Sequence, residues 1–363
     1  MKNLLLILIV LTTTFGCRND DSQEVDQLKA KKEFASTEGI KAIKSSCYNV
    51  IIVGDSVKAD KKINGWGFDG NYFKVFNESG NILLEKEYHS NKMVKLKRLY
   101  WYDKFQKLIK HIEYDYYGKG STLIYEYKYN SKDSLIQFTT SFDKFKMIID
   151  NEFDSDNRKT KSTTTNTKNN NIGIVTFDYD IGNNCIKETY YGNAKTYKIV
   201  DMVFDKSNNM IEIRRQEYVK NDVDTIDYRH LYEYNSNNMM IKAKTFYKNE
   251  STYSSVEYVY DDNGTLLEEK QTPSALMIKN VSSNSVMKSL GLKNHIILIT
   301  RYDSFGNRTQ YLRLYGDGNT KDDWTYNYTY DSKNNWIKKV NYKNDVAISM
   351  VKRHILYYDD NQN

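Results

Sequence analysis

Proline is nearly missing from this chain of 363 residues: it occurs once, at Pro273, and glycine occurs 17 times. Cysteine appears three times, at Cys17, Cys47 and Cys185, without metal-ligand spacing. Cys47 and Cys185 can pair outside the cytoplasm, but two separate, partly buried thiols are the expectation. Five histidines, His89, His111, His230, His295 and His354, lie scattered and form neither HExxH nor a Cys/His zinc pattern. A nucleophile elbow and a phosphate loop are also missing, so no metal, cofactor or catalytic residue is expected. The formal charge of +6 is spread over interleaved Lys and Glu, as at Leu84-Glu85-Lys86-Glu87. A phosphate footprint needs clustered Lys and Arg, which excludes nucleic acid as a partner.

What the chain does have is aromatic residues, 32 Tyr and 14 Phe, alongside 28% charged residues and a mean hydropathy of -0.73. Rings suit a half-buried pleated surface. This is the composition of a β-rich protein with polar turns, wet over much of its area and able to bury a long, thin core.

The rings recur in order. An aromatic followed by Asp or Asn stands at Phe76, Tyr102, Tyr129, Phe153, Tyr179, Phe204, Tyr234, Tyr260, Tyr302, Tyr330 and Tyr358. Tyr102-Asp103, Tyr260-Asp261 with Gly264, Tyr302-Asp303 with Gly306-Asn307, and Tyr330-Asp331 are the clearest copies. Four residues after the aromatic, Gly or Asn predominates, the types that take left-handed backbone at least cost. Seven residues after it, Leu or Ile predominates, which predicts a strand that buries this position. Before it, tyrosines alternate, as at Tyr326, Tyr328 and Tyr330, which places their rings on one strand face. Each unit reads as strand, tight turn, strand, with the Asp or Asn side chain closing the turn. The expected fold is all-β: an antiparallel meander of such units over residues 46-363, forming an open or curved extended sheet. A wider gap holds Pro273 and predicts an insertion near 268-296.

The N-terminus differs. Residues 1-17 give a basic start, an apolar run from Leu4 to Leu11 and Gly16-Cys17. Such a run is too short for a bilayer and reads as a secretory signal. Gly16-Cys17 resembles the lipobox of bacterial lipoproteins, which implies lipid on Cys17. Asp20 and Asp21 resemble the acidic export signal of Bacteroidetes lipoproteins, which implies the outer membrane and the cell surface. Residues 18-45 read as a polar tether.

The recurring Tyr-Asp-x-x-Gly-Asn, clearest at Tyr302 to Asn307, resembles the YD repeats of the RHS family over roughly residues 70 to 363. That resemblance implies a β-strand shell or spiral that binds carbohydrate or partner proteins. The family's processing motif and toxin domain are not found and the repeats are few, so enclosure of a cargo is not expected. Three functions remain open. The first is a non-catalytic binding or scaffold lipoprotein with an envelope-protein partner. The second is a carbohydrate-binding lipoprotein using aromatic rows, with Trp66, Trp324, Tyr326 and Tyr328 as candidate contacts. The third is an enzyme with carboxylates from different repeats. Asp154-Ser155-Asp156-Asn157 places oxygens as a calcium loop does but lacks the glycine and distal Glu of an EF-hand, so turn chemistry is its expected role.

Overall fold

The computed structural model describes residues 39–64, 70–116, 120–192, 195–219, 224–247, 251–273, 296–315 and 319–361. Among them the chain forms strands and one terminal 3-10 turn, with no α-helix. The strands are β1 Ile40–Val53, β2 Ser56–Lys62, β3 Asn71–Phe76, β4 Ile82–Tyr88, β5 Val94–Tyr102, β6 Leu108–Asp115, β7 Ser121–Tyr129 and β8 Leu135–Phe142. They continue as β9 Phe145–Phe153, β10 Lys159–Asn166, β11 Asn171–Tyr179, β12 Cys185–Gly192, β13 Lys195–Phe204, β14 Met210–Val219, β15 Asp224–Tyr234 and β16 Met240–Tyr247. The last are β17 Ser251–Tyr260, β18 Leu266–Pro273, β19 Ile296–Tyr302, β20 Arg308–Tyr315, β21 Thr320–Tyr330, β22 Trp336–Lys343 and β23 Val346–Tyr357.

From β3 to β23 each strand pairs antiparallel with the next, as the meander predicts. The sheet is not open, however. β1 lies between the two ends of the meander, with Ile43 opposite Ile355 of β23 on one side and Lys74 of β3 on the other. This closes a 22-strand antiparallel barrel and overturns the expectation of an open or curved sheet. β1 also begins at Ile40, inside the stretch read as tether. The sequence offers no signal for closure because β1 carries no copy of the turn motif.

The turns follow the motif closely. In every described copy the residue four after the aromatic has positive φ, from 58° at Asn238 to 80° at Gly264. At Tyr302-Asp303 the Asp303 Oδ1 accepts the backbone N–H groups of Phe305 (3.0 Å) and Asn307 (2.8 Å), and Gly306 N–H donates to Asp303 O (2.9 Å). Asp154 does the same for Asp156 and Arg158, and Arg158 Nε also takes its second oxygen at 2.7 Å. That carboxylate serves the turn.

The tyrosine of the motif has a second task. In five copies its hydroxyl donates to a backbone carbonyl of the preceding unit, six residues after that unit's own aromatic. Tyr102 reaches Ile82 O, Tyr129 reaches Leu108 O and Tyr179 reaches Lys159 O, each at 2.9 Å. Tyr234 reaches Met210 O at 2.8 Å and Tyr260 reaches Met240 O at 2.9 Å. Where Phe153 has no hydroxyl, Asn151 Nδ2 donates to Leu135 O at 2.8 Å instead. Tyr358 donates to Phe76 O at 2.7 Å, tying the last copy to the first across the seam.

The aliphatic column is corrected. At each turn the register slips between the pairs Trp101–Lys110 and Tyr102–Leu108 or their equivalents, leaving the residue seven after the aromatic as a bulge. Leu83, Ile109, Ile186 and Ile241 at this position are 37–39% exposed, and none of the column is fully buried. The core instead lies along neighbouring strands of the wall. Ile40, Ile43, Tyr72, Phe76 and Tyr357 pack at the seam; Phe177, Cys185, Tyr190, Val200 and Met202 pack across β11 to β13. Cys47, Trp336 and Val351 make a third cluster. Cys47 is buried and forms no disulfide, so it does not pair with Cys185, which lies in a different cluster. The region expected to hold an insertion is bounded by β18, which runs through Pro273, and β19; residues 274–295 between them lie outside the described residues.

Candidate ligand-binding surface on the tyrosine face

Residues paired across a ladder share a face, so the register sorts the wall into two surfaces. One runs through Trp101, Lys110, Glu126 and Thr139, and the other through Tyr100, His111, Tyr125 and Thr140. The first is a ladder of ion pairs. Glu152–Lys161, Glu212–Arg229 and Lys242–Glu257 meet at 2.7 Å, and Glu268–Arg301 at 2.8 Å. The second carries the motif tyrosines and most of the large buried side chains, among them Phe76, Ile43, Cys47 and Val351.

On the tyrosine face the rings gather over β5 to β8. His111 stacks on Tyr125 with centroids 4.0 Å apart and on Tyr100 at 5.4 Å. Tyr127 shares a hydrogen bond with His111 Nδ1 at 3.1 Å and leans on Phe138 at 5.1 Å. Burial, seconded by the Arg98 charge, pushes the His111 imidazole down to about 4. Burial, then the Glu85 charge, pushes the Tyr100 hydroxyl up. The strip is therefore neutral at physiological pH. Beside it stands an ion cluster on the same face. Arg98 Nη1 reaches Glu85 at 2.9 Å and Glu87 at 3.2 Å, and its Nε reaches Glu113 at 2.7 Å. Burial alone would raise the Glu85 carboxyl, but Lys74 and Arg98 outweigh it and hold the group below its usual range.

A pH dependence follows. A histidine at about 4 in the fold and about 6.5 when unfolded binds its proton first in the unfolded chain. Its contribution is complete above pH 6.5 and is lost as pH falls toward 4. After allowance for solvent screening at this half-exposed ring, the loss is about 1–2 kcal/mol. Urea unfolding of the wild type should weaken between pH 7 and 4.5 by that much more than unfolding of His111→Gln; equal slopes would refute the assignment.

The residues singled out in the sequence fall in two places. Tyr102, Asp103, Tyr260, Asp261, Gly264, Tyr302, Asp303, Gly306, Asn307, Tyr330 and Asp331 form one rim of the barrel, where they close turns and bind neighbouring turns. Asp303 accepts from the hydroxyl of Tyr330, and Asp331 from that of Tyr357 at 2.5 Å. Trp324, Tyr326 and Tyr328 share the tyrosine face of β21. Tyr328 is a packing residue: it donates to Arg308 O at 2.9 Å and meets Trp336 edge-on at 5.7 Å. Lys343 lies over Trp324 at 5.4 Å and Lys339 over Tyr326 at 5.5 Å. Trp66, Cys17, Asp20 and Asp21 lie outside the described residues.

No family model and no curated protein matches this chain. Solved structures do. The crystal structure of TcdB2-TccC3 without its hypervariable C-terminal region is similar with a TM-score of 0.37 and 9% identity, over 83% of this chain and 17% of that one. A Photorhabdus luminescens Tc holotoxin pore gives 0.36 and 9% over the same shares. A porin-like protein from Bacteroides uniformis gives 0.26 and 12%, over 89% of this chain and 100% of that one. The likeness is compatible with an RHS-like sheet and carries no family assignment.

Sequence reasoning missed His111 and Arg98 as members of a site. The signal was available in the spacing: the residue two before each aromatic faces the one nine after it, which sets Tyr100 against His111. Two clefts of about 340 and 460 Å³ lie in the wall, the second of them lined in part by Tyr127. The first has Asp331 and the second Glu126 as its one carboxylate, whereas glycoside hydrolysis uses a pair. Among the described residues no group of His, Cys, Asp and Glu is arranged to hold a metal ion.

Proposed function

We propose that this chain is a non-catalytic binding module of the RHS/YD kind, a lipoprotein held at the bacterial outer membrane through Cys17, with the tyrosine face as its contact surface for an envelope protein. The observation that carries this reading is charge on both faces of the wall. A strand barrel that crosses a bilayer keeps an apolar band on its outward face, where a midplane Arg or Lys costs about 2–4 kcal/mol. Here one face holds Arg229–Glu212 and Lys242–Glu257, and the other holds Arg98 with Glu85 and Glu113. Among the described residues neither shows such a band, which supports attachment through the N-terminal lipid, with Asp20 and Asp21 as the surface-export signal.

The ring geometry favours a protein partner over a sugar. Sugar stacking uses open ring faces. His111 and Tyr125 cover each other, and lysine ammonium groups cover Trp324 and Tyr326. What remains for contact is edges, hydroxyls and the ion cluster, which suit hydrogen bonding to a polypeptide.

The anchoring half is tested by Cys17→Ala. The variant is expected to leave the membrane fraction and appear as soluble protein; retention in the membrane under unchanged processing refutes the lipid reading.

A further inference from the structure

The barrel wall has one loose end. β1 leaves β23 after Tyr48, which pairs with Met350, and its upper part pairs only with β2, from Val50 opposite Ala59 to Val53 opposite Ser56. A two-residue turn joins the two strands, with Gly54 at φ 60°. In a hairpin of that kind the closing pair, Val53 and Ser56, exchanges hydrogen bonds. Val57 and Ala59 then turn their N–H and C=O groups away from β1. Among the described residues no strand pairs with that side of β2. Just below, the β4–β5 hairpin is pinned to the end of this segment, where Ser90 N–H donates to Asn64 Oδ1 at 2.6 Å. The tip is apolar and solvent-facing: Ile51, Ile52 and Val53 are 45%, 68% and 46% exposed.

The margin of this edge is basic. β2 holds Lys58, Lys61 and Lys62 against one acid, Asp60. Lys44 and Lys92 stand close enough to Lys62 that, after burial, their charges hold its ammonium below the usual lysine range. Elsewhere on the wall a number of lysines and arginines meet carboxylates, as at Lys161–Glu152 and Arg229–Glu212; none of these five makes an ion pair among the described residues.

We infer that the outer edge of β2 is a docking site for an extended acidic segment of a partner protein, which adds a strand beside Val57 and Ala59 and sets its carboxylates against Lys58, Lys62 and Lys92. Strand addition draws its affinity from main-chain hydrogen bonds and its specificity from alternate side chains. An edge lined by like charges repels a second copy of itself, so the same lysines that admit an acidic strand bar self-pairing. Alternate apolar residues of the incoming strand meet the exposed aliphatic tip. This surface is separate from the tyrosine face and does not depend on lipid at Cys17.

The test uses the full chain and a labelled peptide alternating Glu and Val, with a Lys–Val peptide as the counterpart, read by fluorescence anisotropy. The acidic peptide is expected to bind, and at least tenfold more weakly in 0.5 M salt than in 0.05 M. Lys58→Glu with Lys62→Glu should weaken it at least tenfold. Ala59→Pro, which removes an outward N–H and leaves the β1 pairing bonds intact, should abolish it while the thermal melt stays within a few degrees of wild type. Absence of binding, equal binding of both peptides, or full binding by Ala59→Pro overturns the proposal. Sedimentation showing a dimer that Ala59→Pro dissolves also overturns it, since the occupant would then be a second copy.

Discussion

Ile43→Asp is expected to abolish the closed monomer. Ile43 is fully buried and packs with Ile40, Tyr72, Phe76 and Tyr357, side chains from all three strands of the seam. Losing a buried Ile of this kind costs about 2–5 kcal/mol, and placing a carboxylate in its site adds a desolvation cost of several more. The sum is comparable to the total stability of about 5–15 kcal/mol of an ordinary domain. Once β1 is displaced, β3 and β23 present unpaired backbone, which invites pairing between molecules. Size exclusion with light scattering should show the monomer replaced by aggregates. Ile109→Asp, at a bulge position 39% exposed, is the matched control and should stay monomeric with a melt close to wild type. The two variants behaving alike would refute the seam as the point of closure.

Arg98→Met is the second large effect. The guanidinium holds Glu85, Glu87 and Glu113 together, and the Glu85 side chain is only 14% exposed. Removing one partner of a buried pair leaves the others uncompensated, at about 3–5 kcal/mol. The sign with pH is fixed by Glu85. In the wild type its carboxyl is depressed, so it stabilises the fold above the unfolded carboxylate value and that stability is lost as pH falls through the folded one. Without Arg98, Lys74 alone opposes burial. The Glu85 carboxyl then moves up from its depressed value, so the variant loses less stability than the wild type on acidification. Urea unfolding should show a large gap between the two proteins at pH 7 that narrows below about pH 4.5; a gap that widens on acidification would refute the cluster.

The sequence announced the local structure well and the global structure poorly. The residue four after each aromatic is left-handed in every described copy, even where Gln106 and Asp133 stand in place of Gly or Asn. Local backbone geometry is dictated by a few adjacent residues, so it leaves a mark in each copy. The tyrosine hydroxyls show the next step outward. Their partners are carbonyls 20 or more residues away, and a carbonyl has no residue identity to read. The aliphatic column misled because a bulge turns the residue out of the alternation a regular strand would keep. Closure was the least legible feature, since Ile40 to Tyr48 repeats nothing seen later in the chain. The candidate site lay between. Its tyrosines were visible as rows, but Arg98 and His111 join it only through cross-strand pairing.

The seam has a consequence in time. Ile40 pairs with Tyr357, almost the whole described chain apart, while every other strand pairing from β3 onward is made with an immediate neighbour. Hairpins of that kind can form as the chain appears. β1 cannot, because one of its two flanking strands is β23, the last of the described strands to be made. Closing so long a loop of free chain costs about 5 kcal/mol of entropy, and the cost shrinks as the intervening strands assemble and bring the ends together. The first described strand to emerge is thus the last to be sealed between both its neighbours.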